Sequence, residues 1–396
     1  MYSCNMTKQE QIKQILERTV VEVIHKDSLE KKLLGKKTLR VKLGIDPTSS
    51  NIHLGRAVAL WKLREFQDLG HTVVFIIGDF TGQIGDTSDK DAERPMLAEQ
   101  QIKQNLKTYL QQAFKILDKK KTEVHYNSKW LKKLTLSEIG YLADMFGLHE
   151  FSSRENIAKR LTAGKRVSLR ELLYPLMQGY DSVMVKADVE LGGSDQKFNL
   201  LAGRTLQSGY KQNPQDVLMV ELMEGTDGRK MSSSWGNTIN LLDTPEDMFG
   251  KLMTIKDELI EKYFIFTTRL SREEIKQIIK QYKNPRVQKL VLASTVVTLY
   301  HDVKLAEQAR EKFISQFSNK ELPTDIKEVK VKPGEYSLVD LLVTLKLVES
   351  KSEAKRILQQ NGVKINQQKP ASESIKIENK NNLIVQVGKR KFIKIK

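Results

Sequence analysis

The chain has 396 residues, a formal net charge of +17 and 39% hydrophobic residues, a length that calls for two or three domains with ordinary cores. No run of about 18 apolar residues marks a membrane span, and a single cysteine, Cys4, excludes an internal disulfide and a cysteine-rich metal centre. The polar start, Met1 to Glu10, lacks an apolar signal segment, which points to the cytoplasm, and the basic excess points to a polyanionic partner or to a lysine-rich solvated surface.

Ile12, Ile15, Leu16, Val20 and Val23 fall at helical spacing, so residues 8–34 are expected to be helical, up to a lysine-rich turn at Lys31–Lys37. Thr38 to Ile45 reads as a strand closed by Asp46-Pro47. Leu54, Ala57, Val58 and Trp61 then mark a helix, ended by Gly70. Gly44 to Arg56 is therefore strand, turn and helix start. His53 and Gly55 fall in the first helical turn, where free N–H groups and the dipole favour a phosphate. Val73 to Ile77 is a continuous apolar run, as in a parallel strand buried on both faces, and completes a βαβ unit.

The loop Gly78 to Asp86 follows that strand. Asp79 and Asp86 are either ligands for a substrate ammonium or plain solvated aspartates. Residues 96–118 are expected as a helix and Thr122 to Tyr126 as a strand with Asn127 at its end. Tyr174, Gln178 and Asp181 lie at i, i+4, i+7 among Leu172, Leu173, Leu176 and Met177, so one helical face carries three polar groups in apolar surroundings. Gly192-Gly193 allows close backbone approach before a helix near Ser194.

Asp216 to Leu222 reads as a further strand. Gly225 to Asn237, with Lys230, Met231, Ser232, Ser233 and Ser234, is small, polar and flexible: a flap over an anion, or a mobile surface loop. Residues 245–316 are helical with a break at Asn284-Pro285, and 317–335 reads as a linker. The tail, 331–396, holds 14 lysines and arginines against 6 acids, net +8. Leu338, Leu341, Leu342 and Leu345 mark one helix, Ser350 and Glu353 a capping box, Asn361-Gly362 a turn, and Val363–Ile365 and Leu383–Val387 strands. Its concentrated charge makes it a nucleic-acid candidate.

Together these residues resemble a known family. Asp46-Pro47-Thr48 through His53-Leu54-Gly55-Arg56 is similar to the His-Ile-Gly-His signature of class I aminoacyl-tRNA synthetases, and Lys230 to Ser234 to their Lys-Met-Ser-Lys-Ser loop. Tyr174, Gln178 and Asp181 with Gly-Gly-Ser194-Asp195-Gln196 resemble the bacterial tyrosyl type, and the tail its S-four-type RNA-binding domain. The resemblance implies an α/β, Rossmann-like doubly wound parallel sheet, then a helical domain and a small α/β RNA-binding domain. The expected boundaries are 1–244, catalytic with an inserted dimerisation and tyrosine-pocket segment; 245–330, helical tRNA-binding region and linker; and 331–396.

By that resemblance the chain activates L-tyrosine with ATP and Mg²⁺, then transfers it to the 3′ end of tRNA(Tyr), as a homodimer. Thr48, His53, Arg56, Lys230 and Ser233 are the implied catalytic set. Asp46, Pro47, Gly55, Asp195, Met231, Ser232 and Ser234 are implied to bind ATP, and Lys42, Asp86, Asn127, Tyr174, Gln178, Asp181 and Gln196 tyrosine. No residue is assigned to a metal. Lys42 stands where many members have tyrosine, Arg56 replaces the second signature histidine, Ser233 replaces the second lysine of the loop, and Thr87-Ser88-Asp89 alters the turn after Asp86. Arg56 and Ser233 leave room for a second reading, a non-catalytic RNA-binding paralogue; a third is a synthetase for tryptophan, related in fold, against which Asp181 and the basic tail argue.

Overall fold

Six strands form the central sheet: β1 (Val20–Ile24), β2 (Arg40–Ile45), β3 (Thr72–Ile77), β4 (Thr122–Tyr126), β5 (Val189–Gly193) and β6 (Asp216–Val220). This computed structural model describes residues 6–87, 96–318, 326–329, 331–360, 362–366, 368–370, 372–377, 383–388 and 391–395. Cys4, the turn residues 88–89, the linker residues 319–325 and Asn361 lie outside them.

The sheet order is β1-β6-β5-β2-β3-β4. β6, β5, β2, β3 and β4 run parallel, and β1 closes one edge antiparallel to β6. Val73 to Ile77 have no solvent exposure, as a strand covered on both faces requires. The chain winds outward from β2 through β3 to β4, then returns to β5 on the other side of β2. Ligands of open parallel sheets sit at such a reversal, beyond the carboxyl ends of the strands. Asp46, Asp79, Asn127 and Asp195 all follow strand ends there.

Several local expectations change. Residues 8–34 are not one helix: Lys8–Glu17 is helical behind a capping box at Thr7, Thr19 turns at a φ of 58°, and Val20–Ile24 becomes β1. Val20, Val21, Val23 and Ile24 are β-branched, and the open edge of β6 takes them as a strand. A second helix covers Lys26–Leu34, so the lysine-rich turn begins only after it. The expected helix at 96–118 is two, Glu99–Leu106 and Tyr109–Ala113, with a turn at 107–108. β5 was hidden in sequence by its two glycines.

Helices Pro245–Leu252, Ile260–Thr267, Arg272–Gln281 and Pro285–Tyr300 follow the sheet. Asn284 caps the last of these with Pro285 at its first position. They pack within the same unit: the Arg18 guanidinium donates to the carbonyls of Ile265, Thr268 and Leu270, and Trp61 Nε1 to the Tyr300 hydroxyl. The chain divides into two compact units, 1–311 and 312–396.

The second unit carries β7 (Glu328–Val329), β8 (Gly334–Ser337), β9 (Val363–Ile365), β10 (Ser374–Ile377), β11 (Leu383–Val387) and β12 (Lys391–Ile395). They form a sheet β7-β12-β11-β9 and a pair β10-β8. Helices Leu338–Thr344 and Lys351–Gln359 bury Leu338, Leu341, Leu342 and Ala354 against Val385 and Ile395. Only half of the expected capping box forms: Ser350 accepts the Glu353 N–H, while the Glu353 carboxylate accepts from Glu349.

Candidate active site

The signature loop leaves β2 and enters the helix Leu54–Asp68, which His53 caps: its Nδ1 accepts the Arg56 N–H at 3.3 Å. Burial, reinforced by the Arg56 and Lys230 charges, pushes the imidazole down to about 3. It is therefore neutral at pH 7, and because Nδ1 accepts, the proton sits on Nε2 as a donor. Two backbone bonds clip the loop to the segment after the flap, Leu54 N–H to Ile239 O at 2.8 Å and Leu241 N–H to Ile52 O at 2.9 Å.

The flap lies against this helix start. Met231 is buried, and its Sδ accepts the Gly55 N–H at 3.2 Å. A Cβ on Gly55 would meet the His53 ring at 3.1 Å and Met231 Cβ at 3.4 Å, so a side chain there would press on both elements. Lys230 Nζ pairs with the Asp195 carboxylate at 2.8 Å, joining the flap to the end of β5. Ser233 Oγ lies 3.4 Å from Ser49 Oγ. Within the flap, Asn237 accepts the Ser232 N–H and donates to Asp227, and Arg229 binds Asp227 and lies 4.8 Å over the Trp235 ring. Ser234 is exposed at the tip. The Arg56 guanidinium donates to the Tyr109 hydroxyl at 2.7 Å and to Thr48 Oγ1 at 3.3 Å, and the Pro47 carbonyl accepts from Asn105.

The second half of the site rests on the helix Leu169–Val185, opened by a capping box at Ser168 and Glu171. Its face carries Tyr174, Gln178 and Asp181, as their spacing predicts, with Tyr174 and Asp181 buried. Tyr174 donates its hydroxyl to Asp46 at 2.9 Å, and Thr81 donates to the other oxygen at 2.7 Å. Burial raises the Asp46 carboxyl to about 6 against those two bonds. A Cβ on Gly78 would collide with Asp46, which explains a glycine after β3. Asp181 accepts from Trp130 Nε1 at 2.7 Å and Asn127 Nδ2 at 3.2 Å. Burial lifts it to about 7, opposed by the Lys42 charge and by both hydrogen bonds. Asp86 accepts from Gln196 Nε2 at 2.6 Å.

Two of the singled-out residues face elsewhere. Asp79 accepts both the N–H and the hydroxyl of Ser128, holding the turn after β4. Lys42 is wholly buried, and its ammonium donates to the Gln178 carbonyl, Ser182 Oγ and Glu190 at 2.7–2.8 Å. All three of its protons are thus engaged between the sheet and the helix Leu169–Val185. Glu190 also accepts from Ser182, Gln215 and Gln178. Sequence reasoning missed Glu190 and Trp130. The signal for Glu190 was a lone acid between Val189 and Leu191, matching the lone lysine between Val41 and Leu43. Trp130 gave none, since its bond to Asp181 spans 51 residues.

Comparison with known proteins places the whole chain in one family. Residues 34–318 match the family described as tRNA synthetases class I (W and Y), and residues 318–395 the Tyrosine--tRNA ligase SYY-like C-terminal domain. The chain is 46% identical over 395 residues to the tyrosine–tRNA ligase of Thermotoga maritima, covering 98% of each chain. It is 46% identical over 400 residues to that of Carboxydothermus hydrogenoformans, covering 96% of this chain and 97% of the relative. Its fold resembles a C-terminally truncated mitochondrial tyrosyl-tRNA synthetase of Aspergillus nidulans, with a TM-score of 0.65 and 21% identity over 78% of this chain and 94% of that one.

Proposed function

Because the chain belongs to the class I tRNA synthetases of the tryptophan and tyrosine group, and within it to the tyrosine–tRNA ligases, we propose the following division of labour among its residues. The enzyme activates tyrosine with ATP to tyrosyl-adenylate and pyrophosphate, then transfers the tyrosyl group to the 3′ end of tRNA. A tryptophan-specific or purely RNA-binding member of the scaffold is disfavoured by 46% identity to tyrosine–tRNA ligases across 98% of the chain.

The first step needs no protein nucleophile, because the tyrosine carboxylate is already ionised. It attacks the α-phosphorus, and the bond to the β-phosphate oxygen breaks. The protein's task is to align two anions and cover the charge that develops on the phosphates. We assign that cover to His53 Nε2–H, Thr48, Arg56, Lys230 and the flap residues Ser232, Ser233 and Ser234. Asp46, Pro47, Gly55 and Met231 would line the nucleotide, with Asp195 on the ribose. Asp181 would accept the substrate hydroxyl, and Tyr174, Gln178 and Asp86 would hold the ammonium beside Asn127 and Gln196. Lys42 would act from beneath.

The observation that supports the reading is the contact of Gly55 with Met231, which sets the helix mouth and the flap together, while Tyr174, on the helix of the buried Asp181, bonds Asp46 at the start of the same loop. Tyrosine-dependent ATP–pyrophosphate exchange tests it, with tryptophan and phenylalanine as controls. Absence of exchange with tyrosine, or equal exchange with tryptophan, would defeat it.

Mg²⁺ is proposed as the companion of ATP. Among the described residues no group of three His, Cys, Asp or Glu is placed to hold a metal, so the ion would arrive on the triphosphate, as magnesium commonly does, and no residue is assigned to it. The unit 312–396 is proposed to bind tRNA(Tyr) through its basic surface. A homodimer is proposed because Leu136, Tyr141, Leu148, Leu161 and Leu169, all between 136 and 169, are 50–86% exposed, more apolar surface than single scattered residues explain. Light scattering on the purified protein tests it. No described helix is long and apolar enough to cross a membrane, and the cytoplasm, where tRNA and ATP meet, is the proposed location.

A further inference from the structure

Residues 47–52 of the signature loop belong to no strand or helix, so, apart from the Ile52 carbonyl bound by the Leu241 N–H and the Thr48 N–H turned back on Asp46, their backbone groups must find partners elsewhere. Three of them find side chains on a single neighbouring segment. Asn105 Nδ2 donates to Pro47 O at 2.7 Å, Gln112 Nε2 donates to Ser50 O at 2.8 Å, and Gln112 Oε1 accepts the Ile52 N–H at 2.8 Å. Between them, Tyr109 accepts from Arg56 at 2.7 Å. Asn105, Tyr109 and Gln112 stand at i, i+4, i+7, a single face that persists across the turn at 107–108. Tyr109 and Gln112 have no exposure and Asn105 has 7%. Three buried polar side chains on one face, two bonded to the loop backbone and the third to Arg56 in the helix that follows it, are more than a solvated stripe; unpartnered, they would be costly.

We propose that this face sets the shape of the nucleotide-binding loop, and that Tyr109 is a positioning residue that aims the Arg56 guanidinium at the ATP phosphates. The proposal rests on the assignment of Arg56 to ATP. The guanidinium is gripped between two hydroxyls, Tyr109 and Thr48, and a planar fork held on one side presents its remaining edge in a fixed direction. Removing the Tyr109 hydroxyl leaves the ring packing intact but frees Arg56 to adopt other rotamers, so the loss falls on phosphate stabilisation and not on tyrosine binding.

The test is a double-mutant cycle with Tyr109→Phe and Arg56→Ala, read by tyrosine-dependent ATP–pyrophosphate exchange. Tyr109→Phe should lower kcat at least about tenfold with KM for tyrosine unchanged, and should have no further effect once Arg56 is alanine. Equal effects of Tyr109→Phe in both backgrounds, or none in either while Arg56→Ala is impaired, would overturn the proposal. An Arg56→Ala variant with full exchange would instead remove Arg56 from the ATP site. The shaping of the loop is then judged without activity, by amide exchange of the peptide 50–56 in Gln112→Ala and Asn105→Ala. Protection should fall at least about tenfold there while the rest of the sheet is unchanged; undiminished protection in both variants would refute the shaping role.

Discussion

Lys42 and Glu190 are register partners on the adjacent strands β2 and β5, with Nζ 2.8 Å from Oε1 and neither side chain exposed. Each charge is taken out of water and compensated by the other. The pair also holds the Gln178 carbonyl and Ser182 Oγ, on either side of Asp181 along the pocket helix. Breaking half of such a pair strands the other charge, at a cost of about 3–5 kcal/mol. Glu190→Gln should lower stability by that order in urea unfolding, and Lys42→Met added to it should recover a substantial part. A Glu190→Gln protein as stable as the parent would show that the pair is not the anchor of this helix.

Asp181, assigned to the substrate hydroxyl, is buried and held by Trp130 and Asn127. A buried acceptor built for a hydroxyl is left unpaired by phenylalanine, and tyrosine-specific synthetases are the standing example of that penalty, at about 10⁵. Asp181→Ala should erase most of the preference, measured as kcat/KM for exchange with each amino acid. Undiminished preference would take Asp181 out of the recognition of the hydroxyl.

The same carboxyl makes stability depend on pH. Folding raises it from 3.8 to about 7 through burial, so the fold favours its protonated form. The stabilisation this gives is full below about pH 4 and is lost as pH rises through 7. A carboxamide does not titrate, so Asp181→Asn should gain stability relative to the parent between about pH 4 and 8, by at most about 4 kcal/mol. Asp46, raised to about 6 by burial, has the same sign but cancels in the comparison. A difference in Tm that stays flat with pH would contradict the perturbed carboxyl.

The parts of this molecule that could be read from sequence are those with a period. The turn from β2 into the helix at Leu54 and the face of Tyr174, Gln178 and Asp181 were legible because strand and helix repeats announce them. β1 was misread because Val20 and Val23 satisfy a helical spacing while their branching suits a strand, and only the vacant edge of β6 decides between them. β5 was hidden by Gly192-Gly193 and Glu190, whose meaning depends on a lysine in another strand. Asn105, Tyr109 and Gln112 did have a helical spacing, but the partners of Asn105 and Gln112 are backbone groups, which leave no mark in sequence, and that of Tyr109 is an arginine 53 residues away.

The tail's core of Leu338, Leu341, Leu342, Val385 and Ile395 lies wholly within the unit 312–396. Its loss should therefore leave the sheet and the exchange reaction in place. Deleting residues 319–396 is expected to preserve tyrosine-dependent exchange within about twofold, and to cut tRNA charging at least about 100-fold through lost phosphate contacts. In the full chain, charging should weaken with added salt. Parallel loss of both reactions would mean that the two units do not divide the work in this way.

Lys230 and Asp195 form a pair that is 30% and 19% exposed. A contact so open to water is worth no more than about 1 kcal/mol, little enough for Lys230 to leave it for a phosphate when ATP enters. A cation on a flap that changes partners acts most in the transition state, which is where binding energy raises kcat. Lys230→Met should therefore lower kcat of exchange by about 100-fold or more, with KM for tyrosine changed by less than about twofold. Asp195→Asn should act differently, raising KM for ATP, because its carboxylate is assigned to the ribose and not to the moving charge. If Lys230→Met kept the parental kcat, the flap would be closing over the nucleotide without contributing to the chemistry.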